Sequence, residues 1–118
     1  MVINLGGGVI SDMGGFIAST YKRGIDFLNI ATTLLSQVDA SVGGKLGIDL
    51  GGLKNQIGVF NFPQMVVIYP PFLKTLEFRQ LKSGFSEVLK HALIQDSKYW
   101  ENVKKIQVSG DYNWGDIN

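Results

Sequence analysis

With 118 residues, 45% of them hydrophobic, the chain is about one domain long and has material for a modest core. Its 11 basic and 10 acidic residues leave a net charge of +1, which gives no electrostatic case for nucleic acid or a membrane surface. The lack of cysteine excludes a disulfide scaffold and thiolate metal sites, and it is compatible with a cytoplasmic protein.

No apolar run approaches the ~20 residues of a membrane span, and the start lacks the basic-then-apolar plan of a signal peptide. Glycine, at 15 residues, is concentrated in the first half, so tight turns are expected there. A strand directly after Met1 and a polar end, "VSGDYNWGDIN", read as cuts through a longer protein.

Val2–Leu5 is a short apolar run and predicts a buried strand. Gly6, Gly7 and Gly8 turn the chain into a helix expected from about Val9 to Lys22, closed by Arg23-Gly24. "IDFLNI", Ile25 to Ile30, predicts the next strand, which makes the first thirty residues a βαβ unit. The glycines precede a helix N-terminus, where free N–H groups favour a pyrophosphate. The dinucleotide pattern G-x-G-x-x-G would need glycine at Ser11, however, so a tight turn without any ligand is an equal account of these residues.

Thr32 and Thr33 follow the second strand at its carboxyl end, where open α/β sheets bind ligands. Their hydroxyls suit ribose or phosphate, while Thr33 could equally cap a short helix through Val38. The stretch "QVDASVGGKLGIDLGGLKN" sets Asp39, Lys45, Lys54 and Asn55 among glycines. A Walker loop would need glycine at Asp39 and Ser or Thr at Leu46, so it is excluded. Glycine with spaced lysines still suits a polyhydroxylated phosphate ester, and a solvated charged loop is the competing account. Val42–Gly58 is expected as loop or hairpin.

"MVVIY", Met65 to Tyr69, predicts a third strand, stopped by Pro70-Pro71. Beyond it "LEFRQLKSGFSEVLKHALI" has helical spacing, and a second helix is expected from about Lys98 to Val108. Glu87 and His91, four apart, share a helix face and could join in metal ligation, but such a pair is also ordinary surface stabilisation. Phe60, Phe62, Phe72, Phe78 and Trp100 are read as core residues. The fold expected is α/β: a Rossmann-like cofactor-binding part over residues 1–70, then the start of a helical metal and substrate domain over 71–118.

The motifs "GGGVISDMGGFIASTYKRGI", "TTLLSQVDASVGGK", "LKNQIGVF", "FLKTL" and "GFSEVLKHALI" together resemble the 3-dehydroquinate synthases, sugar phosphate cyclases of the shikimate pathway to aromatic amino acids. They occur in that family's order, over about Ile3 to Ile94. The resemblance implies NAD as cofactor and zinc, or another divalent metal such as cobalt. It matches Gly8, Val9, Ile10, Ser11, Asp12, Thr32, Thr33, Phe72, Leu73, Lys74 and Thr75 to NAD-contacting positions. Lys45 and Lys54 match lysines at the junction of cofactor and substrate, and Asp39, Asn55 and Lys90 match positions around the substrate. Arg23 matches an arginine that reaches the phosphate site, across a homodimer interface, and Glu87 matches the first zinc ligand.

The reaction implied is a lyase-type cyclisation of a sugar-acid phosphate. Hydride passes to NAD and returns, phosphate leaves, and ring closure gives 3-dehydroquinate. Ser11 and Leu53 depart from the family's usual glycines. The family's remaining zinc ligands are histidines well downstream, and His91, the only histidine here, is not matched to them. A central fragment, inactive alone, is therefore expected. Deoxy-inosose and valiolone-type synthases share these motifs, a glycerol-dehydrogenase-like enzyme shares the wider fold, and a non-catalytic nucleotide-binding module is the rival of another class. A cut parallel sheet would expose an apolar face and invite association.

Overall fold

The computed structural model describes residues 1–106. Three parallel strands, β1 (Val2–Gly6), β2 (Phe27–Ala31) and β5 (Met65–Ile68), form a sheet in the order β1-β2-β5. Val2 pairs with Phe27, and Leu28 with Met65. Helix α1 (Gly8–Thr20) crosses over between β1 and β2, giving the expected βαβ unit.

α1 stops at Thr20, short of the expected Lys22. Lys22, Arg23 and Gly24 all take positive φ, at 49°, 69° and 115°, and this left-handed run, not a capping cation, turns the chain back towards the sheet. β2 accordingly begins at Phe27, two residues later than expected, and runs to Ala31.

The glycine-rich region is a hairpin of β3 (Lys45–Leu50) and β4 (Leu53–Phe60). Gly51 and Gly52 supply its two-residue turn with φ of 60° and 80°, a conformation that glycine adopts without a Cβ penalty. The hairpin lies on α1, so α1 sits between sheet and hairpin. The core is there: Ala18, Phe27 and Leu46 are buried together, with Val2, Phe16, Ile25 and Val59 against them. A Cβ on Gly15 would come within 2.6 Å of the Leu46 side chain, so glycine there lets the leucine pack close against α1.

Six strand positions on the other sheet face are apolar by register: Ile3, Leu28 and Met65 in one row, Leu5, Ile30 and Val67 in the next. No helix of the described residues covers them, and Ile3 and Leu5 are 58% and 59% exposed.

After β5 a 3₁₀ turn, Pro70–Thr75, leads to α2 (Phe78–Gln95) and α3 (Ser97–Val103). Asp96 separates the helices by capping α3, its Oδ1 accepting the Tyr99 N–H at 2.7 Å. α3 ends at Val103, and Gln107 and Val108 of the expected helix lie outside the described residues. Phe60 and Phe62, read as core, are on the surface, 85% and 70% exposed. Both lie at or beyond the last residue of β4. Phe78, at the start of α2, is also exposed, whereas Phe72 and Trp100 are half-buried. Among the described residues no helix is long and apolar enough to cross a membrane.

Candidate functional site

The carboxyl ends of β1, β2 and β5 meet at one edge of the sheet, and most of the expected site residues gather there. α1 starts at Gly8 with Gly7 as its cap and no side chain satisfying the first N–H groups. Gly7 lies against Thr33, since a Cβ on it would come 3.1 Å from the threonine Cγ2. Gly8 lies as close to Ala40. The Thr32 N–H donates to Gly6 O at 3.0 Å, tying the end of β2 to the turn. Val9 and Ile10 are exposed beside this turn. Ser11 is buried, its hydroxyl donates to Gly8 O at 2.9 Å and its N–H to Gly7 O at 3.2 Å, so both serve the start of the helix.

Thr33 caps the next segment as its position suggested, its Oγ1 accepting the Ser36 N–H at 3.2 Å. That segment, Ser36–Ala40, is a π-helical turn rather than an ordinary short helix. The Ser41 N–H donates to Ser36 O at 3.1 Å, an i+5 bond that makes room for an extra residue, and Asp39 stands exposed on the turn. Gln37 is buried and ties the turn to both neighbouring strand ends, donating to Ala31 O at 3.2 Å and Tyr69 O at 3.3 Å.

Asp39 faces two ways. On the α1 side it lies near Asp12, whose carboxyl is raised above the ordinary range, first by burial and then by the Asp39 charge. On the α2 side its carboxylate belongs to a group with Glu87 and His91, whose ligand atoms all lie within 4.8 Å of one another. α2 can approach because Gly84 packs on this segment: a Cβ there would come 2.6 Å from the Leu35 nitrogen.

Glu87 Oε1 and His91 Nε2 are 3.6 Å apart, and His91 Nε2 is a buried atom without a hydrogen-bond partner. Two donors to one tetrahedral zinc at ~2.0–2.1 Å stand roughly 3.3 Å apart, so this pair fits a divalent cation. The Lys90 ammonium, half-exposed, makes an ion pair with the same Glu87 oxygen. The residues present therefore fit the metal that the resemblance implies, and Asp39 adds a third donor within reach.

A cleft between α1 and the hairpin is lined by Asp12, Lys45, Leu46, Gly47, Asn55 and Gln56, among others. Asn55 also lines an adjoining cleft, in left-handed backbone with φ 53°, and its N–H donates to Asp49 Oδ1 at 2.9 Å. Lys54 lines neither cleft. In the 3₁₀ turn Leu73 is a buried packing residue, Phe72 sets its ring edge-on to Tyr69 at 5.3 Å, and Lys74 and Thr75 are exposed. Arg23 stands apart, at the opposite edge of the sheet where β2 begins.

Sequence reasoning missed Asn4, Asn29, Ser36 and Gln37, all buried. Asn4 and Asn29 carried a signal in being polar within short apolar strand runs; the two π-turn residues carried none.

Comparison with known proteins supplies the family. The family described as "3-dehydroquinate synthase N-terminal" matches residues 1–83. The chain belongs to the 3-dehydroquinate synthase family. The 3-dehydroquinate synthase of Clostridium tetani is 53% identical over 98 residues, covering 83% of this chain and 26% of that protein. Among solved structures, 2-epi-5-epi-valiolone synthase from Streptomyces hygroscopicus subsp. jinggangensis, with NAD+ and Zn2+ bound, superposes with a TM-score of 0.78 at 38% identity. It covers 81% of this chain, which in turn covers 27% of that one. A 2-deoxy-scyllo-inosose synthase complexed with carbaglucose-6-phosphate, NAD+ and Co2+ gives 0.76 at 29% identity, over 80% of this chain and 26% of that one. The chain spans less than a third of the length of the curated relatives it matches.

Proposed function

We propose that the whole protein carrying this chain is a 3-dehydroquinate synthase, a carbon–oxygen lyase. It would convert 3-deoxy-arabino-heptulosonate 7-phosphate to 3-dehydroquinate and release phosphate. The observation that carries this reading is the position of Asp39, beside Asp12 of the cofactor-side helix and within 4.8 Å of the Glu87 and His91 donors. Cofactor side and metal side meet at that residue.

In this reading residues 1–70 belong to the cofactor domain and 71–118 begin the metal and substrate domain. The uncapped start of α1 at Gly8 and Val9 receives the NAD pyrophosphate, with Thr32, Thr33 and the Phe72–Thr75 turn around the dinucleotide. Glu87 holds the metal, and the sole histidine of the chain, His91, lies one helical turn on. NAD and the metal supply reversible hydride transfer and polarisation of a substrate hydroxyl.

The chain's own side chains do the rest. Lys45 and Asn55 bind the polyhydroxylated substrate from the cleft, and Lys54 adds charge from the hairpin. Lys90 leaves Glu87 to neutralise the departing phosphate. Asp39 holds protons at the substrate's hydroxyls, while Asp12, its carboxyl raised by burial, stands beside it on the cofactor side. Arg23, far from these groups in its own chain, serves the phosphate site of a neighbouring subunit in a homodimer.

The test is phosphate release by the whole protein with NAD and zinc. Turnover of the heptulosonate phosphate is expected, with none from residues 1–118 alone. A second reading, another sugar phosphate cyclase, is favoured by the two solved structures above. Preferential turnover of a sugar phosphate lacking the carboxylate would select it.

A further inference from the structure

Beneath the site runs a relay of buried amides. Asn4, 5% exposed, donates through Nδ2 to Asn29 Oδ1 at 3.0 Å. Asn29, 2% exposed, donates through its own Nδ2 to Ser41 O at 3.1 Å. Ser41 closes the π-helical turn, since its N–H and its hydroxyl both donate to Ser36 O. The relay thus links the middle of β1, through the middle of β2, to the turn that carries Asp39.

Stability alone does not call for these side chains. Strands of a covered parallel sheet are ordinarily apolar, and replacing a buried hydrogen-bonded pair by apolar groups of like shape is often nearly neutral. Amides give direction instead: one donor aimed at one carbonyl selects one placement of the segment among many. Gln37 ties the π-helical turn to the strand ends at Ala31 O and Tyr69 O, and Asn29 holds its other end at Ser41 O. The turn is packed closely by glycines, Gly8 against Ala40 and Gly84 against Leu35, so a small shift of its backbone is felt at once. Asn4 is itself held tightly, because a Cβ on Gly14 would overlap its Oδ1.

We infer that Asn29, backed by Asn4, is a positioning residue that sets the Asp39 carboxylate between Asp12 and the Glu87–His91 pair. This rests on the reading of Asp39 as part of the active site.

The test is a double-mutant cycle in the whole protein, following phosphate release with NAD and zinc. Asn29→Leu is expected to lower kcat about tenfold and to leave the substrate KM within about twofold, because a displaced carboxylate still permits binding. In an Asp39→Asn background the same substitution should cost less than about twofold, since the group it positions is gone. An equal loss in both backgrounds overturns the inference and marks Asn29 as merely structural. Full activity of Asp39→Asn alone overturns the site reading itself, and the inference with it.

If Asn29→Leu does not accumulate as folded protein, Asn4→Leu enters the same cycle. It leaves the Asn29–Ser41 bond but frees the amide to rotate, so a smaller loss, about threefold, should vanish beside Asp39→Asn. A loss that persists there overturns the inference equally.

Discussion

The two faces of the three-stranded sheet reverse the usual order. The face covered by α1 carries Asn4 and Asn29 among Phe27 and Ala31, while the uncovered face is apolar at Ile3, Leu5, Leu28, Ile30, Met65 and Val67. Hydropathy alone would have put the asparagines outside. What distinguishes the covered face is that its amides bond to one another and to Ser41. A covered face tolerates polarity where the polarity has a partner and a task; an apolar face shows only that it can be covered.

The sharpest way to break this contrast is through Phe27, the largest fully buried side chain of the covered face. Phe27→Ala should cost about 3–5 kcal/mol of unfolding free energy, measured by urea denaturation, because it opens a cavity against Ala18 and Leu46. A cost near zero would mean that α1 and the hairpin do not form the core.

Asp12 should give a smaller, pH-dependent effect. Its raised pKa means that the folded state holds the proton more tightly than the unfolded chain, so the ionised form opposes folding. The penalty is complete above the folded pKa and disappears below the ordinary value of 3.8. Asp12→Asn should therefore melt higher than the parent at neutral pH, and the gap should close as pH falls through that range. A gap that stays constant down to acid pH would contradict the burial argument.

Smallest of all is Leu5→Ser on the uncovered face. In residues 1–118 alone it should change stability by no more than about 0.5 kcal/mol. A larger loss there would show that this face is covered after all.

Much of the fold was legible in the sequence for plain reasons. Short apolar runs marked β1 and β5, the triple glycine marked the βα turn, and the glycine-rich Val42–Gly58 marked a loop or hairpin. Where the local signal failed, a tertiary contact or an unusual backbone had decided the matter. The left-handed run Lys22–Gly24 shortened α1 and delayed β2. The π-helical turn follows from an i+5 bond at Ser41 that no residue pattern announces. Phe60 and Phe62 fit a core reading by chemistry and are exposed by position.

The candidate site was legible through its motifs, which gave residue types and order. It was not legible as an arrangement. Nothing in the spacing of Asp39 and Glu87 shows that their carboxylates approach, because that depends on Gly84 letting α2 onto the π-helical turn. The distance of Arg23 from every other site residue was likewise invisible.

The central claim is that one side of Asp39 serves a dinucleotide and the other a metal. A crystal structure of the whole protein with NAD and cobalt, read through the cobalt anomalous signal, tests it most directly. The account predicts a cobalt peak on the Glu87 carboxylate and the NAD pyrophosphate against the Gly8 and Val9 N–H groups. Cobalt bound without Glu87, or a pyrophosphate away from that turn, would contradict it.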